Sequence, residues 1–198
     1  TTLVWILAFS YERANEHAGL LCLHTLFVRE HNRLCRELMQ EHPDWTDEQL
    51  YQRARKIVGA LLQVITYKEW LPALGVILPE YQGYDESINP NILNVFATVA
   101  SRFGHSIVNE QFVRLEENGE SSVYGSIHLR EVFFRPLVIK DEGGIDPFLR
   151  GMATQKQQQL DMKMVGSLRN FLFGPPGSRG LDLIAINILR SRETGIPD

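Results

Sequence analysis

Residues 15–41, NEHAGLLCLHTLFVREHNRLCRELMQE, contain the pattern that decides the fold class. Apolar side chains recur there at helical spacing among charged residues, which is typical of an amphipathic helix with one buried face. The residues His42-Pro43-Asp44 end this pattern, because the residue before a proline disfavours helical backbone. The segment therefore predicts one long helix in a mainly α protein. Its apolar stripe consists of Leu20, Leu23, Phe27, Leu34 and Leu38.

A second helix is predicted directly after this one. The Thr46 hydroxyl can accept an early helix N–H, and the Gln49 side chain can reach back to the Thr46 N–H, which together make a capping box. Apolar residues then recur at helical spacing as far as Leu71-Pro72. Further helices are predicted over about 90–109, after the turn at 142–147, over 162–173 and over 181–192.

The remaining segments lack a helical pattern. Residues 79–90 are rich in Gly, Pro, Asp and Asn, which predicts a loop. Residues 116–126 predict an exposed loop or hairpin, and residues 132–139 predict a short strand that is broken by Pro136. No internal repeat and no linker long enough to separate domains is present. We therefore predict a single domain over residues 1–198 with one core.

Composition excludes several classes of protein. The chain has 198 residues, of which 44% are hydrophobic and 22% charged, so a disordered chain is excluded. The net charge of −4 argues against a general nucleic-acid binder. The apolar run at residues 3–9 is far shorter than the roughly 20 residues of a membrane span. It also lacks the flanks of a signal peptide, so we expect a buried segment.

The two cysteines of the chain predict free thiols. Cys22 and Cys35 lie thirteen residues apart on one predicted helix, roughly 20 Å at the helical rise per residue. This separation is too large for a disulfide between them. Free thiols argue weakly against a strongly oxidising compartment.

Two polar residues on predicted helices could carry chemistry. His105 lines up with Asn94, Thr98 and Ser101 rather than with the apolar stripe, and Gly104 beside it would let a flat ligand approach the backbone. An imidazole at such a place can be an axial haem ligand, but local features favour a histidine satisfied at a contact between helices.

Asn187 lies in an apolar helical stretch, where an amide needs a hydrogen-bond partner. The second ring N–H of a ligand histidine and a loop carbonyl are equally good partners on local grounds. Arg13 and Glu16 flank the start of the first helix, where such charges are ordinary.

Several strings resemble, in the same order, the animal-type haem peroxidase superfamily to which peroxidasin and myeloperoxidase belong. The resemblance covers about residues 13–197, and the string GPPG leans towards bacterial members. It implies a haem-peroxidase-type helical domain, of which this chain is the central part, incomplete at both ends. The strings are RANE (13–16), HTLFVREHNRL (24–34), ARKIVGA (54–60), ITY (65–67), FGH (103–105), GGIDP (143–147), GPPG (174–177) and NILRSR (187–192).

The resemblance also implies roles for five residues. His105 resembles the proximal axial ligand of the haem iron, and Asn187 resembles its hydrogen-bond partner. Arg13 resembles the distal arginine that polarises bound peroxide. Glu16 resembles the carboxylate that forms an ester with a haem methyl, and Arg102 resembles the arginine that pairs with a haem propionate. The implied cofactor is therefore a b-type haem, with a possible ester link through Glu16.

The implied activity is that of a haem peroxidase in the response to oxidative stress. Such an enzyme reduces hydrogen peroxide and oxidises a halide or a small organic electron donor through an oxoferryl haem. The family's distal histidine, second ester carboxylate and calcium loop precede the matched region, so we expect this chain alone to be weak or inactive. Relatives are often secreted, which suggests an extracellular location, although the chain shows no signal peptide.

Two other functions stay open. The chain is alternatively a non-catalytic helical fragment that binds haem or a partner protein through apolar faces. It is alternatively similar to the fatty-acid dioxygenases or cyclooxygenases of the same superfamily, which need a tyrosine near the haem.

The sequence departs from the family pattern at two places. His17 stands where myeloperoxidase has a methionine that forms a sulfonium link to haem, so no such link is expected. The family's Arg-Asp-His-Gly is replaced by RETG at 192–195.

Overall fold

The structure is a computed structural model that describes residues 12–174 and 180–196. Helices dominate these residues, which confirms the mainly α fold class. The predictions for the apolar run at 3–9, for most of the helix stop at 174–177 and for Pro197 lie outside the described residues. The helices are α1 (Ala18–Glu41), α2 (Asp47–Val64), α3 (Leu71–Ala73), α4 (Asn94–Thr98), α5 (Leu137–Asp141), α6 (Asp146–Thr154), α7 (Gly166–Asn170) and α8 (Leu183–Glu193).

Shorter elements connect these helices. A π-helical segment, Ile65–Trp70, follows α2 directly, and Thr66 Oγ1 donates a hydrogen bond to the Leu62 carbonyl oxygen within this region. The strands β1 (Gln111–Phe112) and β2 (Ile127–His128) pair antiparallel, with Gln111 opposite His128. The 3₁₀ turns are Glu12–Asn15, Ala100–His105 and Leu129–Glu131.

The chain forms two compact units. The first, here called the split unit, combines the residues up to His24 with those from Pro90 onward. The second, here called the hairpin unit, comprises Thr25–Asn89. The prediction that residues 1–198 form one domain stays a prediction.

The hairpin unit is built from the later part of α1 and from α2. Leu38, Leu50 and Ala54 are buried between the two helices, with Cys35 and Trp45 partly buried beside them. The short connection is closed by the predicted capping box. The Gln49 N–H donates to Thr46 Oγ1 at 3.3 Å, and the Thr46 N–H donates to Gln49 Oε1 at 2.8 Å. Both predicted helices and their cap are therefore confirmed.

The split unit contains the larger apolar core. Its buried side chains come from both ends of the chain and from the segments between β2 and α6, so the core depends on contacts between residues far apart in sequence. Burial of such side chains is the main source of folding free energy. The buried members are Ala18, Leu21, Cys22, Leu129, Val132, Phe133, Val138, Ile139, Ile145, Phe148, Leu168, Leu172 and Leu183.

A buried arginine holds the predicted hairpin on this core. Arg114 is 2% exposed, and its guanidinium lies 5.3 Å from the centre of the Phe148 ring. It donates to the carbonyl oxygens of Tyr124 and Gly125 and pairs with Glu142 at 2.6 Å. These partners satisfy the buried charge, which would otherwise be costly.

The backbone beside Arg114 also requires one glycine. A Cβ on Gly151 of α6 would lie 1.7 Å from the Val113 carbonyl oxygen, so only glycine permits the close approach of α6 to this strand region. The bridge between Leu115 and Ser121 confirms that residues 116–126 form a hairpin turn.

Three predicted elements were wrong in extent or type. The helix predicted over 90–109 is only α4, followed by the 3₁₀ turn Ala100–His105. Its predicted apolar face is exposed, with Ile92 at 71% and Phe96 at 49%. Because helices gain most of their stability from packing such a face, a longer helix is not stabilised here.

The other two errors have local causes. The strand predicted over 132–139 is a turn that leads into α5, and Pro136 caps that helix at its start, where proline is tolerated. The helix predicted over 162–173 shortens to α7 because Asp161 Oδ1 accepts the Lys163 N–H at 2.7 Å, a side-chain turn that competes with helix.

Neither Cys22 nor Cys35 forms a disulfide, as predicted. Within the part of the chain that the structure describes, no helix has the length and apolar character needed to cross a membrane.

Candidate functional site

The split unit brings Arg102, His105 and Asn187 together. Arg102 and His105 lie one turn apart on the 3₁₀ turn Ala100–His105, and Asn187 lies in the middle of α8. The Arg102 Nε donates to the Thr98 carbonyl oxygen at 2.6 Å, which fixes the guanidinium against the preceding helix α4. The Thr98 hydroxyl itself donates to the Asn94 carbonyl oxygen at 2.7 Å, so Thr98 meets Arg102 through its backbone and not through its side chain.

Two hydrogen bonds join the three side chains. Asn187 Nδ2 lies 2.9 Å from His105 Nδ1, and Arg102 Nη1 donates to Asn187 Oδ1 at 2.8 Å. Because arginine can only donate, the amide atom that it contacts is the oxygen. The amide nitrogen therefore faces the ring, and the neutral imidazole carries its proton on Nε2 in this arrangement.

Among the described residues, no protein group engages Nε2, the second ring nitrogen of His105. Within residues 12–174 and 180–196, Nε2 makes no hydrogen bond to protein. Burial, assisted by the nearby Arg102 charge, lowers the pKa of His105 below its ordinary value, so the ring is neutral near pH 7.

The donor chemistry fits an axial iron ligand. If the Asn187 amide turns by 180°, its oxygen instead of its nitrogen faces His105 Nδ1. The ring proton then resides on Nδ1, and Nε2 has a lone pair that can bind a metal ion. A carboxylate partner for Arg102 would compensate for the hydrogen bond lost in that turn. In the described part of the chain, no group of three or more His, Cys, Asp or Glu side chains that could hold a metal ion is present.

A cavity of about 220 Å³ adjoins the Arg102–Asn187 side of this site. Its walls are mainly apolar and come from α8 and from the segment 160–164. His105 is not part of its lining, so the exposed edge of the imidazole lies outside this cavity.

Arg13 and Glu16 lie together at the turn that precedes α1. The Glu16 N–H donates to the Arg13 carbonyl oxygen at 3.2 Å, and the Arg13 side chain is exposed. Burial raises the pKa of the Glu16 carboxyl, and the positive charge of Arg13 partly opposes this rise. The turn thus combines an exposed arginine with a carboxyl that is partly withdrawn from water.

The turn has two further anchors that the sequence did not reveal. The Phe134 N–H donates to the Glu16 carbonyl oxygen at 3.2 Å. His17 Nδ1 accepts the Leu20 N–H at 3.3 Å and caps α1, and burial lowers the pKa of His17 to about 4. A histidine directly before a helix is the only signal in the sequence for the second anchor.

A profile of the animal haem peroxidase family matches residues 6–198. The chain belongs to the animal haem peroxidase family. It is 46% identical over 192 residues to the peroxidasin homolog of Mus musculus, covering 93% of this chain and 13% of that protein. It is 46% identical over 196 residues to lactoperoxidase of Mesocricetus auratus, covering 93% of this chain and 27% of that protein.

A solved structure shows the same fold. Peroxidase A from Dictyostelium discoideum is 41% identical to this peroxidase-family chain and superposes with a TM-score of 0.84, covering 93% of this chain and 35% of that one. The chain therefore spans about an eighth to a third of the length of these relatives. It is a fragment of the animal haem peroxidase domain.

Proposed function

We propose that this chain binds haem through His105 Nε2 and forms the proximal side of a peroxidase site. The observation that carries the proposal is the pair of His105 and Asn187, joined at 2.9 Å although they are 82 residues apart. Family membership and the lack, among the described residues, of a protein partner for Nε2 support the same assignment. Hydrogen peroxide and a halide or small organic donor are the proposed substrates.

Haem iron, when bound, supplies the redox chemistry for peroxide reduction. Asn187 then orients the imidazole and, by accepting the Nδ1–H, raises the electron density on Nε2. Arg102 holds the Asn187 amide in the structure described here, and we propose that it turns its free N–H groups to a haem propionate. In this proposal, Asn187 and Arg102 hold and orient the His105 ring so that Nε2 can bind the iron.

We propose that Arg13 acts on bound peroxide and that Glu16 acts on the edge of the haem. The exposed Arg13 guanidinium can stabilise negative charge that develops on a peroxide oxygen. Glu16 is the proposed attachment point for an ester link to haem. An extracellular location, a role in the response to oxidative stress and a need for the family's calcium loop are further expectations of this proposal.

Reconstitution of the chain with haemin tests the proposal. The wild-type chain is expected to give the Soret band of histidine-ligated haem, and His105→Ala is expected to abolish it. Asn187→Leu is expected to weaken haem binding about 10–100-fold, which is the usual effect of removing a partner of a metal-bound histidine. His24→Ala changes an exposed histidine of the same unit and is the matched control. A Soret band that His105→Ala leaves unchanged would contradict the ligand assignment.

A non-catalytic binding function is the second candidate, and one observation favours it. Ile77 is 94% exposed and Tyr84 is 88% exposed in the hairpin unit, and apolar side chains this exposed often mark an interaction surface. A folded chain that fails to bind haemin would support this candidate. No contact in the described residues favours the dioxygenase alternative, because Tyr67, Tyr81 and Tyr84 are all exposed.

A further inference from the structure

Two phenylalanines of the split unit have a backbone conformation that is rare for their residue type. Among residues 12–174 and 180–196, the non-glycine residues with positive φ are Phe134 at 51° and Phe173 at 57°. Bulky side chains are genuine outliers in this left-handed region. The two rings contact each other with centres 5.9 Å apart, although both side chains are exposed.

The structure around Phe134 forces this conformation. Phe133 is 5% exposed and anchors the chain in the apolar core on one side. Pro136 restricts the backbone on the other side, where α5 begins. Strained backbone of this kind persists only where its surroundings hold it in place.

One N–H group of this strained segment reaches the turn that carries Arg13 and Glu16. In the left-handed conformation, the Phe134 N–H donates to the Glu16 carbonyl oxygen at 3.2 Å, 118 residues away in sequence. This bond ties the turn that carries Arg13 and Glu16 to the buried segment around Phe133. Because Phe133 and α5 are both anchored in the apolar core, an ordinary φ at position 134 would require the peptide that carries this N–H to move, which would weaken the bond.

We propose that Phe134 is a positioning residue for Glu16. Its left-handed backbone, through the bond from its N–H to the Glu16 carbonyl oxygen, keeps the Arg13–Glu16 turn in place and keeps the Glu16 carboxyl partly buried. The inference deepens the proposed function, because Glu16 is there the attachment point for haem. Phe134 itself does not react, and its role is to hold the Glu16 carboxyl in position.

Substitutions at position 134 that differ in their tolerance of positive φ test this inference on the haem-free chain. Phe134→Gly and Phe134→Asn tolerate the left-handed region, whereas Phe134→Val opposes it. The measurements are the pKa of the Glu16 carboxyl, by ¹³C NMR, and hydrogen exchange of the amide at position 134. We expect the Gly and Asn variants to keep the raised pKa of Glu16 and slow exchange. The Val variant should return this pKa towards its ordinary value and exchange faster.

Controls separate positioning from general loss of structure. Phe133→Leu removes core packing at the neighbouring residue, and it should lower the melting temperature without changing the pKa of Glu16. Phe134→Ala replaces the Val variant if the latter does not fold. Equal Glu16 pKa values in the Gly and Val variants would overturn the inference, as would a return to the ordinary pKa in the Gly and Asn variants. Because no haem is present, failure here is distinct from failure of the haemin experiment.

Discussion

The hairpin unit and the split unit hold their residues in place by different means. In the hairpin unit, two helices joined by a capping box bury three residues, Leu38, Leu50 and Ala54, within a short stretch of sequence. In the split unit, short helices of five to eleven residues surround a core whose members range from Ala18 to Leu183. The hairpin unit is thus held together by residues close in sequence, and the split unit by residues far apart in sequence. The proposed haem ligand lies in the split unit.

The largest expected effect comes from the centre of the split unit. Phe148 is fully buried, and Phe148→Ala should lower the free energy of unfolding by about 3–5 kcal/mol, since it leaves a cavity and exposes the Arg114 site. Leu50→Ala in the hairpin unit should cost about 2 kcal/mol. Urea denaturation with residue-level hydrogen exchange measures both. If the two variants lost equal free energy of unfolding and each raised hydrogen exchange throughout both units, the two units would not differ as described.

A smaller effect, which depends on pH, is expected where α1 begins in the split unit. Because burial lowers the pKa of His17 to about 4 from an ordinary 6.5, the folded state binds fewer protons than the unfolded state between these values. Stability is therefore full above pH 6.5 and falls by up to about 3 kcal/mol as the pH drops to 4.

The variant His17→Asn isolates this effect, because asparagine caps a helix without titrating. Thermal unfolding from pH 4 to 7 should show a flatter profile for this variant than for the wild-type chain. His24→Asn, at an exposed position of the same helix, should retain the wild-type profile. A wild-type slope in His17→Asn would show that another group causes the pH dependence.

The smallest effect is expected at the capping box of the hairpin unit. Thr46→Ala removes the oxygen that accepts the Gln49 N–H and should cost about 1 kcal/mol. Hydrogen exchange in the first turn of α2 is the measurement, and it should quicken there while the split unit is unchanged. Thr46→Ser keeps the hydroxyl and should restore protection. Loss of protection in the split unit as well would show that the cap supports more than its own helix.

Prediction from sequence succeeded where the causes are local. The helix after Thr46 and the last helix around Asn187 were predicted because capping residues and apolar spacing act over a few positions. The helix predicted over 90–109 failed because its stability depends on whether another surface covers Ile92 and Phe96. The spacing of residues does not contain that information.

The candidate site divides in the same way. His105 and Asn187 were each singled out from the sequence, but local features left an ordinary structural role equally good or better for both. Their meeting at 2.9 Å is a tertiary fact, and so is the role of Arg102 as a donor to Asn187. The contribution of Phe134 had no signal in the sequence, since φ at one residue follows from the packing around it.

By itself, the sequence determined a mainly α chain, the long first helix with its capped successor, free cysteines and the likeness to haem peroxidases, all of which rest on residue order and short spacing. Tertiary structure alone decided that His105 meets Asn187, that Glu16 is partly buried and that Phe134 is held at positive φ. The physical reason is that these features arise from contacts across 82 and 118 residues of chain, where burial and hydrogen bonding outweigh local preference.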